Sequence, residues 1–220
     1  MQSVLSYNEL KAKQRAERDS WPPGVALRTH RALSWLQRAE MENDDPDAAF
    51  VFLWIAFNSV YAREADEDLI SREHERYENF LKRIIICDRK NRLASVLFDQ
   101  FSDSLEKLIE NKYVLHEYWL NQFKPGQGID WEKSLNIAVN QASGAQRKRD
   151  SLAFIMIVLA RLRVLRNQVV HGASTWKSSA NRQQIQDAAA VMRQIVPVII
   201  DIIMSDPDQD WGDPLYPVQH

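Results

Sequence analysis

Apolar residues recur at three- and four-residue spacing along much of this chain, the repeat of helices with one buried side. The plainest case is residues 178–204, where Ile185, Ala188, Ala189, Met192, Ile195, Val196, Ile199 and Ile203 form one stripe. Pro197 within that stripe is expected to kink the helix. Residues 48–61, AAFVFLWIAFNSVY, are apolar on every side instead, so they should form a central helix enclosed by others. Asn58 in that helix needs a partner, because a buried amide without hydrogen bonds costs about 1–3 kcal/mol. A structural partner is the usual outcome, and a turn toward a functional site is the alternative.

The breaks between helices are marked by local chemistry. Residues 8–19 are polar and helix-prone, and Trp21-Pro22-Pro23-Gly24 ends that segment so that a second helix begins near Val25. Asn43-Asp44-Asp45-Pro46 stops the second helix, with Asp45 as N-cap and Pro46 in the first turn of the next. A charged stretch covers 62–76, and 80–121 has room for two to four amphipathic helices. Residues 123–128 form a loop, 130–141 a short helix and 142–148 another connection, after which Asp150 caps the apolar helix 152–165. From Ser205 the chain is too rich in proline and aspartate for helix, so an extended tail anchored by Trp211 and Tyr216 is expected. The reading is a single all-α domain over 1–220: a helical extension at 1–23, a bundle core at 25–204 with additional helices, and an extended tail at 205–220.

Composition supports this and narrows the setting. With 45% hydrophobic residues in 220, a sizeable core is within reach, and six glycines and eight prolines leave few breakers. The lone Cys87 rules out an internal disulfide, which makes a reducing compartment, the cytoplasm, the expected home. No N-terminal apolar stretch resembles a signal peptide. No apolar run, 152–160 included, comes near the roughly 20 residues of a membrane helix, so no membrane association is expected.

Charge is unevenly distributed. Between Gly144 and Gln194 nine basic residues face two acidic ones, giving +7, and the remainder carries −9. Arg147, Lys148, Arg149, Arg163, Lys177 and Arg182 are therefore candidates for contact with a phosphodiester ligand such as RNA; a solvated basic surface is the alternative.

Several chemistries find no support. Asp206, Asp208 and Asp210 alternate like the start of a calcium loop, but Trp211 stands where glycine is needed and Pro217 where glutamate would close the shell. The histidines at 30, 74, 116, 171 and 220 are scattered, without a zinc-binding pair. Phosphate-cradling glycine loops and a Gly-x-Ser-x-Gly elbow are missing too, so neither metal nor cofactor is expected. Cys87 reads as a small buried hydrophobe.

What remains is Arg166-Asn167-Gln168-Val169-Val170-His171-Gly172, at the end of the apolar helix. Arginine brings a permanent cation with a planar fork of donors, and histidine can exchange a proton near neutral pH. On a regular helix Asn167 and His171 lie about 40° apart, whereas Arg166 and His171 lie about 140° apart. The helix is expected to unwind or tighten near Gly172, a natural C′ residue, so that a long arginine could sweep back toward the imidazole.

Arg166 to His171 resembles the Arg-x(4–6)-His signature of HEPN domains, including the polar residue after the arginine and the glycine after the histidine. The all-apolar helix ending in Leu53-Trp-Ile-Ala-Phe-Asn-Ser-Val-Tyr61 is similar to one found upstream in the Apea-like HEPN branch. The resemblance covers residues 48–204. It implies a HEPN-like bundle that dimerises so that two motif copies share a cleft, and a metal-independent endoribonuclease cutting single-stranded RNA, often a toxin or antiviral defence effector. In that reading His171 does acid/base work, Arg166 stabilises charge in the transition state, and Asn167 orients the histidine or the phosphate. Where one toxin subgroup carries a modified tyrosine two residues after the histidine, this chain has Ala173, which argues against that control by an antitoxin partner. Two other readings stay open: a non-catalytic module binding RNA, a nucleotide or a protein partner in a defence complex, and a helix end in which Arg166 and His171 merely complement the dipole.

Overall fold

The computed structural model describes residues 5–62 and 73–216; most of the charged stretch at 62–76 lies outside them, as do 1–4 and 217–220. The fold is all-α, and among the described residues there is no strand. In chain order the helices are α1 (Tyr7–Glu17), α2 (Pro23–Glu40), α3 (Pro46–Tyr61), α4 (Glu73–Cys87), α5 (Arg92–Ser95), α6 (Ser102–Glu110), α7 (His116–Phe123), α8 (Trp131–Lys148), α9 (Ser151–Val170) and α10 (Arg182–Ser205). A π turn, Val96–Gln100, precedes α6, and a 3₁₀ turn, Lys112–Val114, precedes α7. The chain divides into two compact units, one of residues up to Leu93 together with those from Met192 onward, the other Ala94–Val191.

The first unit is organised by α2 and α3. Ser6 caps α1 with a reciprocal capping box to Glu9, and Asp45 caps α3, its side chain accepting from the Ala48 N–H. Phe50, Leu53, Ala56, Phe57 and Val60 of α3 are fully buried, as its all-round apolar pattern requires. Asn58 is only half-buried, so the demand for an internal partner is relaxed by water. The largest fully buried side chain here is a cation: Arg28 donates from Nη1 to the Val60 carbonyl at 2.5 Å and from Nη2 to the Gly212 carbonyl at 2.6 Å. Through these two carbonyls it joins the end of α3 to the tail.

The tail is irregular beyond α10, as expected, but it is anchored differently. Trp211 is buried and donates from Nε1 to the Asp206 carbonyl at 2.9 Å. Tyr216 is 84% exposed, which corrects its expected role. Its backbone does the holding: Arg31 donates to the carbonyls of Leu215 and Tyr216, both at 2.6 Å.

In the second unit α9 supplies the core, through Phe154, Ile155, Val158, Leu159, Leu162 and Leu165. α8 runs unbroken to Lys148, so the expected connection at 142–148 is in fact helix. Gly144 in a helix costs only about 1 kcal/mol, and the neighbouring Ala142 and Ala145 are both buried, so packing outweighs the propensity of Ser143-Gly144.

By length and mean hydropathy, 1.7 over its most apolar stretch, α10 could cross a membrane, yet 72% of that stretch is buried within the protein. Residues 182–191 of the helix belong to the second unit and 192–205 to the first, and the helix continues past Pro197.

Candidate functional site at the end of α9

Asp150 starts α9, its carboxylate accepting from the Ala153 N–H at 3.0 Å. The other end tightens as Gly172 predicts. The Gly172 N–H donates to the Val169 carbonyl at 3.2 Å and the Ala173 N–H to the Gln168 carbonyl at 2.8 Å, with Gly172 at φ +70. This is a Schellman ending, and glycine suits its left-handed C′ position because it carries no Cβ.

The helix stays regular up to that point, since the His171 N–H still donates to the Asn167 carbonyl at 3.0 Å. The Cα of Arg166 therefore lies about 140° around the axis from that of His171. The residues nearest His171 around the axis are Val164, Asn167 and Gln168, at i−7, i−4 and i−3, with Arg163 about 80° away on the Asn167 side. Asn167 and His171 are exposed; Arg163 and Arg166 are half-buried. A guanidinium, an amide and an imidazole are thus presented along one side of the last two turns.

The remaining cations separate into two groups. Arg147, Lys148 and Arg149 are exposed at the opposite end of α9, about 30 Å away along a helix of 20 residues. Within one chain they are not gathered with His171. Arg149 is also engaged: it occupies the left-handed position ending α8, at φ 52, and its guanidinium meets Asp99 at 2.9 and 3.2 Å. That pairing holds the Asp99 carboxyl below its ordinary pKa. Lys177 and Arg182 follow Gly172 closely in the chain, and Lys177 lies 4.5 Å from the centre of the Trp176 ring. Two further members of the +7 segment are structural. Arg193 donates to the Ala39 and Glu42 carbonyls at 3.3 and 2.7 Å, and Arg161 is 4% exposed with Nε donating to the Ile109 carbonyl at 3.2 Å. Burial lowers the Arg161 pKa, partly opposed by the Glu117 charge, but an arginine so perturbed is still a cation.

Beside the stripe lies a cavity of about 290 Å³, whose apolar wall includes Trp119, Leu120 and Phe123 of α7 with Val164 of α9. His116, Asn167, Gln168 and Asn181 supply its polar side. In comparisons with known proteins, no family model, no curated protein and no solved structure matches this chain.

Gln168 organises this corner. Its Nε2 donates to the Tyr113 carbonyl at 2.6 Å, and its Oε1 accepts from Asn181 Nδ2 at 3.2 Å. The same Tyr113 carbonyl accepts from Trp119 Nε1 at 2.9 Å. Sequence reading overlooked Gln168, Asn181 and the α7 aromatics. A signal existed in His116, Trp119, Leu120 and Phe123, which fall at i, i+3, i+4 and i+7 and so mark one face of a helix. The sequence did not reveal that this face lines a cavity. Among the described residues no cluster of three or more histidine, cysteine or acidic side chains is placed to hold a metal ion.

Proposed function

We propose that this chain is a HEPN-type endoribonuclease acting as a homodimer on single-stranded RNA, in the cytoplasm, as a toxin or antiviral effector. The observation that supports it most is the exposed stripe of Asn167 and His171 at the capped end of α9, with half-buried Arg163 and Arg166 in the neighbouring turns. An RNA 2′-hydroxyl attacks the adjacent phosphorus as its proton passes to a base. The P–O5′ bond breaks, the departing O5′ takes up a proton, and a 2′,3′-cyclic phosphate remains. His171 is suited to one of these proton transfers, and the arginines to the charge gathering on the phosphoryl oxygens. Arg166 and His171 spring from different sides of one helix, a layout better served by two helix ends facing each other than by one.

The test is cleavage of single-stranded RNA by the purified chain in EDTA, followed by analysis of the ends. Cyclic phosphate products that vanish in His171→Ala are expected. No cleavage across varied RNAs, or undiminished cleavage by the variant, would defeat the proposal.

The cavity favours a second reading, a non-catalytic module that binds RNA or a nucleotide. It predicts that wild-type protein binds without turnover and that Arg166→Ala weakens the binding.

A further inference from the structure

We propose that the cavity between α7 and the end of α9 receives one unpaired base of a single-stranded RNA, an inference that rests on the nucleic-acid reading of the neighbouring stripe. Three features of the cavity point to this occupant.

The first is its aromatic wall. The Phe123 ring is 73% exposed and stacks on Trp119, with centroids 5.9 Å apart and planes inclined by 26°. A flat heteroaromatic ring laid on the exposed face of Phe123 extends that stack and removes apolar surface from water.

The second is the character of the polar groups. No lysine, arginine or acidic side chain lines the cavity, and His116 is the one lining group able to carry a charge, so a phosphate, an ammonium or a carboxylate finds no permanent counter-ion there. It offers amides instead. Asn167 is exposed, and Asn181 gives Nδ2 to Gln168 while keeping Oδ1 for a ligand. Adjacent donors and acceptors in a neutral amide match the hydrogen-bonding edge of a base. Gln168, fixed at both ends of its amide, holds that edge in place.

The third is position. Asn167 lines the cavity, and its own carbonyl accepts the His171 N–H, so imidazole and amide are one turn apart on the same stripe. A base seated against Asn167 leaves its sugar and phosphate outside the cavity, on the side of α9 where His171 and Arg163 are presented. At about 290 Å³ the space suits one ring system and is small for a peptide helix.

The experiment uses the full chain and a short 2′-O-methyl oligoribonucleotide, which cannot be cleaved, so binding is read independently of turnover. Phe123→Ala and Asn167→Ala should each weaken binding by about tenfold, Phe123→Trp should retain it, and a strand lacking bases should bind about tenfold more weakly than the intact one. Because Phe123 and Asn167 are exposed, neither change removes core packing. Equal affinity for the abasic strand, or unchanged affinity in both alanine variants, overturns the proposal. So does a mononucleotide that binds as tightly as the strand, since the cavity would then serve free nucleotides, or displacement of the strand by an apolar peptide with no dependence on Asn167. If the strand binds as described but RNA is not cut, the base site stands and the catalytic reading falls; if RNA is cut and these variants bind normally, the reverse holds.

Discussion

Gln168 Nε2 donates to the Tyr113 carbonyl at 2.6 Å, tying the last turn of α9 to the 3₁₀ turn that leads into α7. Trp119 Nε1 serves the same carbonyl at 2.9 Å. Gln168→Ala therefore leaves that carbonyl with one donor and should cost about 1 kcal/mol. Adding Trp119→Phe removes the second donor, and the double variant should lose more than the sum of the two singles. Urea unfolding of all three variants checks this; strict additivity would show that the two donors act separately.

Arg161 is a buried cation whose Nη2 has no hydrogen-bond partner among the described residues. The single bond from Nε to Ile109 is modest return for desolvating a guanidinium. Arg161→Met keeps most of the volume without the charge and should fall within about 1 kcal/mol of wild type, whereas Arg161→Ala opens a cavity and should cost about 3 kcal/mol. Thermal or urea unfolding distinguishes them. A methionine variant as unstable as the alanine one would mean that the charge itself is needed, with Glu117 the nearest candidate for its partner.

Gly172 has open space where a Cβ would lie, so substitution there tests backbone strain alone. With φ at +70, Gly172→Ala should destabilise the chain by about 1–2 kcal/mol, and Gly172→Asn by less, because asparagine tolerates the left-handed region. If the end of α9 positions His171 for catalysis, RNA cleavage should fall more in the alanine variant than its unfolded fraction explains. Measuring both quantities on the same preparation separates positioning from stability.

Asp201 sits between Lys13 Nζ at 2.8 Å and Arg92 Nη1 at 2.6 Å. Burial alone would raise its pKa, but the hydrogen bonds and charges of Lys13 and Arg92 outweigh burial, and the carboxyl is held below its ordinary value. A depressed folded pKa contributes stability that is complete above the unfolded value, about 3.9, and is lost as pH falls through the folded one. Asp201→Asn should therefore be less stable than wild type at neutral pH, by about 3 kcal/mol, and the gap should close as both are acidified below about pH 4. Stability curves at several pH values check it. A gap that is constant with pH would mean that Asp201 acts through packing.

Much of the fold was legible because it rests on local signals. Asp45 and Asp150 cap the helices they were expected to cap, the all-apolar α3 is buried, and Gly172 ends α9 with positive φ. The misreadings have a common cause. Ser143-Gly144 suggests a break by propensity, yet the buried faces of Ala142 and Ala145 keep α8 intact. Tyr216 looks like an aromatic anchor, but Arg28 and Arg31 hold the tail through backbone carbonyls, which leave no trace in a sequence. At the site, helical spacing correctly aligned Asn167 with His171. Gln168 escaped notice because its partners, Tyr113 and Asn181, come from other parts of the chain.

The sequence by itself determined that this chain is helical, where α9 ends, and which side chains share its last turns, because capping and the 3.6-residue repeat act over a few neighbouring residues. Tertiary structure alone decided what each of the nine basic residues meets. Arg161 is buried, Arg149 pairs with Asp99 at the far end of α9, and Arg193 caps α2. It also decided that α7 sets an aromatic wall beside Asn167. A formal charge can be counted along a chain, but whether it meets water, a carboxylate or a carbonyl depends on segments that only folding brings together.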